Sequence, residues 1–256
     1  MNKISKIRYR YDWAKTKILR KMLPEKDERR RTIENVRKKI KSLGTRYEDG
    51  NSNCRGYTYH PIIFPEFYDV AYHRDASGCD ERLQAMLSVV EINEGDRILD
   101  VGANVGFFSF SMARKGAIVD SIELHPESFE IGAALARLYD MDVCYINKPI
   151  SRELLHHLDN NYKCALLLSV VHWIMKQCGR EETIEILRDI AQRSETIFFE
   201  VPSSPDDGMV VHEDFSSLER VKSFLHETFP DHRATELLIG EKWGNRVLFK
   251  IGREQD

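Results

Sequence analysis

The most constraining stretch of the sequence is Ile98-Leu-Asp-Val-Gly-Ala-Asn-Val-Gly-Phe-Phe-Ser109. An apolar run, Ile98 to Val101, ends in a turn spaced by Gly102 and Gly106. Phe107, Phe108, Phe110 and Met112 then open a helical stretch. The order is strand, tight loop, helix N-terminus, which gathers unpaired backbone N–H groups at the mouth of a cleft. The two glycines permit positive φ and a close approach by a ligand. Spacing then separates ligand classes. A dinucleotide fingerprint, G-x-G-x-x-G, would need glycine where Asn104 and Phe107 stand, so a nicotinamide oxidoreductase is disfavoured. The G-x-x-x-x-G-K-S/T of a phosphate-cradling loop is absent.

What stands here is Asp100-x-Gly102-x-Asn104-x-Gly106, with Glu123 closing the next apolar run, Ala117 to Ile122. In this form the chain resembles class I S-adenosylmethionine-dependent methyltransferases, at their motif I (the variant with Asn at the middle glycine) and the acidic motif that follows. The resemblance implies S-adenosylmethionine as cofactor and no metal. It implies that Gly102, Asn104 and Gly106 line the methionine part and that Glu123 takes both ribose hydroxyls. Asp100 would act near the amino-acid end, directly or through water. The chemistry of Glu123 agrees independently, since a vicinal diol offers two donors and an ionised carboxylate is a two-oxygen acceptor.

Further positions follow from the same resemblance. The family often carries Asp after its third strand as a partner for the adenine amino group. Here Asn147-Lys-Pro-Ile150 follows Val143 to Ile146, and Asn147 is the expected substitute. The end of the fourth strand, Ala165 to Ser169, would face the transferred methyl group, with Ser169 among the cofactor-binding positions. Ser169-Val-Val-His172 is similar to a pattern of O-methyltransferases acting on small molecules and glycans. His172 is the candidate general base, because histidine titrates near neutral pH without tuning. The alternative is a structural histidine at a strand–helix junction. Glu200, ending a fifth strand over 196–201, is the candidate to orient His172 or bind acceptor hydroxyls. A phosphate or carboxylate acceptor would need no base and would shift weight to Arg74, Arg82 or Lys148.

Taken in order, the chain begins with a basic arm. Residues 1–46 hold 17 Lys/Arg and 5 Asp/Glu, a charge of +12, so the net −3 of the whole leaves −15 on the rest. Apolar positions at helical spacing predict helices over 3–22 and from Ile33 to Leu43, with Gly44 as a stop. Three readings of this extension stay open: packing on the body, an anionic membrane surface, and nucleic acid. The last is disfavoured by the lack of an RNA-binding motif or aromatic platform. Residues 47–79 are irregular and aromatic, an expected lid and acceptor segment in which Tyr57, Tyr59, His60, His73 and Arg74 are candidate contacts. The remainder, 80–256, is the expected methyltransferase domain, and the resemblance covers about 80–251.

Within that domain, helices are expected from Asp80, from Pro126 to about Tyr139 and over 181–193. A capping box at Ser216-x-x-Glu219 would start a helix to about Phe229. Residues 235–239 and 246–251 read as a closing hairpin, and 202–214 as a lid or acceptor rim. The fold expected is α/β: a Rossmann-like, doubly wound, seven-stranded, mostly parallel sheet with a C-terminal antiparallel hairpin, plus the basic helical extension. Five cysteines without a C-x-x-C pair read as free thiols of a reducing cytoplasm. No run approaches a membrane span and no secretory signal is visible. The expected location is cytoplasmic, or peripheral at the inner face of the membrane.

The pattern of Tyr-rich segment, Arg82-Leu83, the glycine-spaced loop and Ser-Val-Val-His resembles bacterial methyltransferases of surface polysaccharides, other glycans and their phosphate ends. The function it implies is O-methylation of a glycan or lipid-linked saccharide, at a hydroxyl or phosphate. The alternatives are an RNA or small-molecule methyltransferase, or a non-catalytic scaffold of this fold at a membrane. RNA N-methylation is disfavoured because the Asn/Asp-Pro-Pro-aromatic tetrad is missing after strand four.

Overall fold

A computed structural model describes residues 26–43, 58, 60–71, 78–202, 212–240 and 246–253. The expected helix over 3–22, the candidates Tyr57, Tyr59, His73 and Arg74, and most of the 202–214 rim lie outside the described residues.

Seven strands form one sheet: β1 Arg97–Val101, β2 Ile118–Ile122, β3 Val143–Ile146, β4 Tyr162–Leu168, β5 Ser194–Val201, β6 His232–Gly240 and β7 Arg246–Arg253. Their order is β3-β2-β1-β4-β5-β7-β6. The first five are mutually parallel, and β7 runs antiparallel to both β5 and β6. Strand order reverses between β1 and β4, the place where sheets of this kind open a crevice at their carboxyl ends. The alternation along β4 shows why both faces need cover. Cys164, Leu166 and Leu168 point into one core, Ala165 and Leu167 into the other.

Among the described residues eight helices supply that cover: α1 Lys26–Leu43, α2 Cys79–Leu87, α3 Phe107–Ala113, α4 Pro126–Leu138, α5 Arg152–His157, α6 Val171–Cys178, α7 Arg180–Arg193 and α8 Leu218–Thr228. The first four pack over one face, where Ile40, Met86, Phe110 and Leu135 meet Val119 and Phe198. The last four pack over the other, where Leu155, Ile174, Leu187 and Phe224 meet Leu99 and Phe199. Two of these helices carry no expectation from the sequence. One, α5, is six residues long and is set by Ser151, whose hydroxyl accepts from the Leu154 amide at 3.1 Å. The other, α6, is the segment that carries His172.

The expected capping box is corrected. The capping residue of α8 is Ser217, one position later than Ser216, with its hydroxyl accepting from Arg220 N at 3.3 Å. Ser216 Oγ instead donates to the carbonyl of Glu213. A 3₁₀ turn over Glu213–Phe215 takes up the preceding residues and shifts the helix start by one.

The described half of the basic extension is a packed layer. On α1, Val36, Ile40 and Leu43 are buried against α4 and the 62–71 segment. Much of its charge is spent on the body. Arg37 holds Asp69 through both guanidinium nitrogens and the Glu66 carbonyl at 2.6 Å. Arg29 reaches Glu66 at 3.2 Å and the Leu138 carbonyl at 3.0 Å, and Lys39 pairs with Glu130. The 62–71 segment is a second packed layer, in which Phe64 stacks on Tyr139 with ring centroids 3.6 Å apart. Among the described residues no helix is long and apolar enough to cross a membrane, and Cys79, Cys144, Cys164 and Cys178 are free thiols.

Candidate active site

The loop after β1 is tied to the end of β2. The amides of Gly102 and Ala103 both donate to the Ile122 carbonyl, at 2.8 and 3.1 Å. Gly102 (φ +78°), Asn104 (φ +51°) and Gly106 (φ +96°) all lie in the left-handed region. Two of these positions require glycine on steric grounds as well. A Cβ on Gly102 would stand 2.8 Å from Val170 Cγ2, and one on Gly106 would stand 2.3 Å from Tyr145 Oη. The loop is therefore pressed against the end of β4 on one side and against the Tyr145 ring on the other.

Glu123 sits just past β2 and is 8% exposed. Its Oε2 accepts from Asn104 N at 2.7 Å and its Oε1 from His125 N at 2.6 Å. These two amides fix the plane of the carboxylate and leave further lone pairs for a ligand. Burial raises its pKa, against the pull of the two amides. Asp100 is fully enclosed. Burial pushes it up to about 7, the Ser109 hydroxyl at 2.5 Å opposes the shift, and the Glu123 charge adds to it. Asn147 spends its amide nitrogen on the carbonyls of Glu123 and Leu124, at 2.8 and 3.0 Å, which leaves its oxygen as an acceptor.

Across β4 the chemistry changes sign. Ser169 follows β4 at φ +57°, a strained value for a serine. Its hydroxyl donates to Glu200 Oε1 and accepts from Arg246 Nη1 at 2.8 Å. Glu200, near the end of β5, is wholly buried and pairs with Arg82 of α2 at 3.2 Å. Its second oxygen, Oε2, has no partner. His60 belongs to the same neighbourhood. Burial first, then the charges of Arg82 and Arg246, lower its pKa to about 3. His172, on α6, is also buried. Both of its ring nitrogens lack a partner, and burial with the Arg246 charge holds it down to about 4.

The structure thus sorts the expected site residues into two groups. Asp100, Gly102, Asn104, Gly106, Glu123 and Asn147 ring the ends of β1 to β3. Ser169 and Glu200 are bonded to each other at the ends of β4 and β5, with Arg82. His172 makes no hydrogen bond to Glu200. Two contributors had gone unnoticed in the sequence. Arg246 begins the last strand, 77 residues from the serine it bonds, with no local signal. Tyr145 had one: Gly132 lies mid-helix in α4, where glycine is costly. A Cβ at Gly132 would stand 2.2 Å from Tyr145 Cζ. The glycine makes room for the ring that supports the loop.

The residues present fit S-adenosylmethionine. The Gly102 and Gly106 positions leave a cradle that a side chain would fill, Asn104 Oδ1 is buried without a partner, and a fixed carboxylate stands beside them. No metal-binding group of His, Cys, Asp and Glu occurs among the described residues.

Known proteins share this fold. No protein-family model matches the chain. In sequence it is 26% identical over 165 residues to the O-antigen chain terminator bifunctional methyltransferase/kinase WbdD of Escherichia coli, an alignment covering 56% of this chain but 23% of that protein. In structure it superposes on crystalline WbdD with a TM-score of 0.60 at 21% identity, covering 83% of this chain and 46% of the other. It superposes on magnesium protoporphyrin IX methyltransferase from Synechocystis PCC 6803, solved with bound S-adenosylmethionine, with a TM-score of 0.50 at 13% identity, covering 70% and 80%. The chain therefore spans under a quarter of the curated relative and about half of its crystallised form. The sheet order and the glycine-spaced loop are those of the class I S-adenosylmethionine-dependent methyltransferase fold, and these likenesses set the chain beside proteins of that fold.

Proposed function

We propose that this protein is an S-adenosylmethionine-dependent O-methyltransferase whose acceptor is a glycan or lipid-linked saccharide presenting an anionic oxygen, such as a terminal phosphate. The observation that carries the reading is the junction of two unlike half-sites at the β1/β4 crevice. A carboxylate cradle stands on one side, and on the other Arg82 and Arg246 both face the buried carboxylate of Glu200. Kinship with a chain terminator of O-antigen supports the acceptor class.

Bound in the cradle, the cofactor supplies an electrophilic methyl group. The protein's own residues would then do three things. Gly102, Asn104, Gly106 and Glu123 hold and orient the cofactor, with Asn147 Oδ1 at the adenine end and Asp100 toward the amino-acid end. Ser169, bridging Glu200 and Arg246, fixes the height of the crevice floor. Arg82 and Arg246 attract and align the acceptor oxyanion, and alignment is the larger part of catalysis for an in-line displacement. An anionic oxygen needs no base.

A second reading, a hydroxyl acceptor with His172 as base, is favoured by its two unpartnered ring nitrogens and by its being neutral at pH 7. Against it stands a pKa near 4, which makes a weak proton acceptor. The membrane role of residues 1–46 remains part of the proposal only for charges outside the α1 contacts with the body.

Titration of the purified protein with S-adenosylmethionine and its demethylated product, with NAD as control, tests the cofactor half. Saturable binding of the first two alone is expected. Methyl transfer to oligosaccharides with and without a terminal phosphate tests the other half. Preference for the phosphorylated form, retained in His172→Ala, is expected; loss of turnover in that variant with an unphosphorylated substrate preferred would select the second reading.

A further inference from the structure

The opposite end of the sheet holds a second concave site. At the amino ends of β4 and β5 a cavity of about 650 Å³ is bounded by the 160–161 turn, the end of α7, and the outer strands β7 and β6. Glu200 and Ser194 occupy the two ends of β5, six residues and roughly 20 Å apart at strand rise, so this cavity is separate from the crevice.

Its chemistry is uniform. Arg193, Arg233, Lys250 and Arg253 line it, and none of the four has an ion-pair partner among the described residues. The one carboxylate on the wall, Glu195, is already held by Lys163 at 2.7 Å. Strand register explains the convergence. Arg233 lies opposite Gly252, and Thr235 lies opposite Lys250, so Arg233 and Lys250 flank a position with no side chain. A Cβ at Gly252 would meet nothing closer than 3.9 Å, so the floor there is open. A second feature points to a ligand independently of the charge. Ser194, 8% exposed, lines the cavity with a buried hydroxyl that has no partner. A buried hydroxyl without a partner is costly, and a bound acceptor oxygen would satisfy it.

We propose that this cavity is a binding site for a phosphoryl group, with Arg233, Lys250 and the Ser194 hydroxyl as its principal contacts. Guanidinium groups hold phosphate oxygens in pairs, and an unneutralised cluster of four cations in a concave polar site selects a multiply charged anion. A soluble phosphate ester and a phospholipid headgroup share this chemistry.

The test uses the full-length protein and titrates inorganic pyrophosphate by calorimetry at low salt, with S-adenosylmethionine present to occupy the cradle. Saturable binding is expected, weakened about tenfold or more in Arg233→Ala/Lys250→Ala and retained in Arg246→Met, which alters only the crevice. Ser194→Ala, with a smaller loss, serves where the double variant folds poorly. Binding lost in Arg246→Met but kept in Arg233→Ala/Lys250→Ala would overturn the proposal by locating the anion in the acceptor crevice, as would no saturable binding at all. Cosedimentation with vesicles of phosphatidylglycerol or phosphatidylcholine separates the sources. Association with the anionic vesicles that falls in the double variant assigns the site to a headgroup, and pyrophosphate binding without it assigns the site to a soluble ester.

Discussion

The two halves of the crevice are built from the same kind of strand ends and carry opposite charge. Around β1 to β3 the buried groups are Asp100 and Glu123, with no guanidinium bonded to either, and burial raises the pKa of both. Around β4, β5 and β7 the buried carboxylate faces two guanidiniums, and both nearby histidines are held below their ordinary pKa. The acidic half holds carboxylates that a sulfonium and an ammonium would relieve, and the basic half brings two guanidiniums to one carboxylate. Fixed charges in a dry site cost stability and are worth most where charge arrives.

The largest break in this contrast would come from Glu200→Ala. It removes the carboxylate that both guanidiniums face, and about 3–5 kcal/mol of stability is expected to go with it, read by denaturant unfolding. An unchanged midpoint would mean that the two arginines are balanced elsewhere. On the other half, Gly106→Ala forces a Cβ onto the Tyr145 hydroxyl and Phe110 at a positive φ. A cost of roughly 2–4 kcal/mol follows from strain plus overpacking, with loss of cofactor binding beyond what the stability change explains. Glu123→Gln keeps the shape and removes the charge. Cofactor affinity should fall about tenfold or more, while unfolding stability changes little.

Two pH dependences sharpen the comparison further. Asp100 holds its proton up to about pH 7 in the free protein. A cationic cofactor favours the ionised form, so binding should release protons below that pH, and affinity should weaken as pH falls through 7. The demethylated product, lacking the sulfonium charge, should show a shallower slope in calorimetry. For the other half, His172 is depressed from 6.5 to about 4, so the unfolded chain binds the extra proton between those values. The stability contributed by neutral His172 is complete above pH 6.5 and is lost as pH falls toward 4. His172→Gln should make that part of the stability profile shallower, with the share of His60 remaining; an unaltered profile would place the histidine in contact with water.

The contrast also divides what the sequence makes legible. The acidic half is local: Asp100 to Gly106 is one loop, Glu123 ends the next strand, and glycine spacing announces the turn before any contact is known. The basic half is assembled from Arg82, Ser169, Glu200 and Arg246, which come from four separate elements. Arg246 owes its place to β7 being inserted antiparallel between β5 and β6, and no spacing rule reports that. All seven strands lie within three residues of the bounds expected at either end. Two helices carry no expectation, α5, where a single serine cap sets a six-residue helix, and α6; the start of α8 is off by one, where a 3₁₀ turn absorbs Ser216.

Ser169 has a consequence for anyone selecting variants of this protein. Its backbone sits where glycine would be at ease, yet its hydroxyl is the clamp between the fifth strand's acid and the seventh strand's arginine. Replacing it with glycine frees the backbone of strain and cuts that clamp in a single step. The relaxed turn is worth about 1–2 kcal/mol, and the two hydrogen bonds to buried charged groups about 1.5–3 kcal/mol each. A library screened for heat tolerance and one screened for turnover would therefore both keep the serine, and its strained backbone is the mark of a contact worth more than the strain.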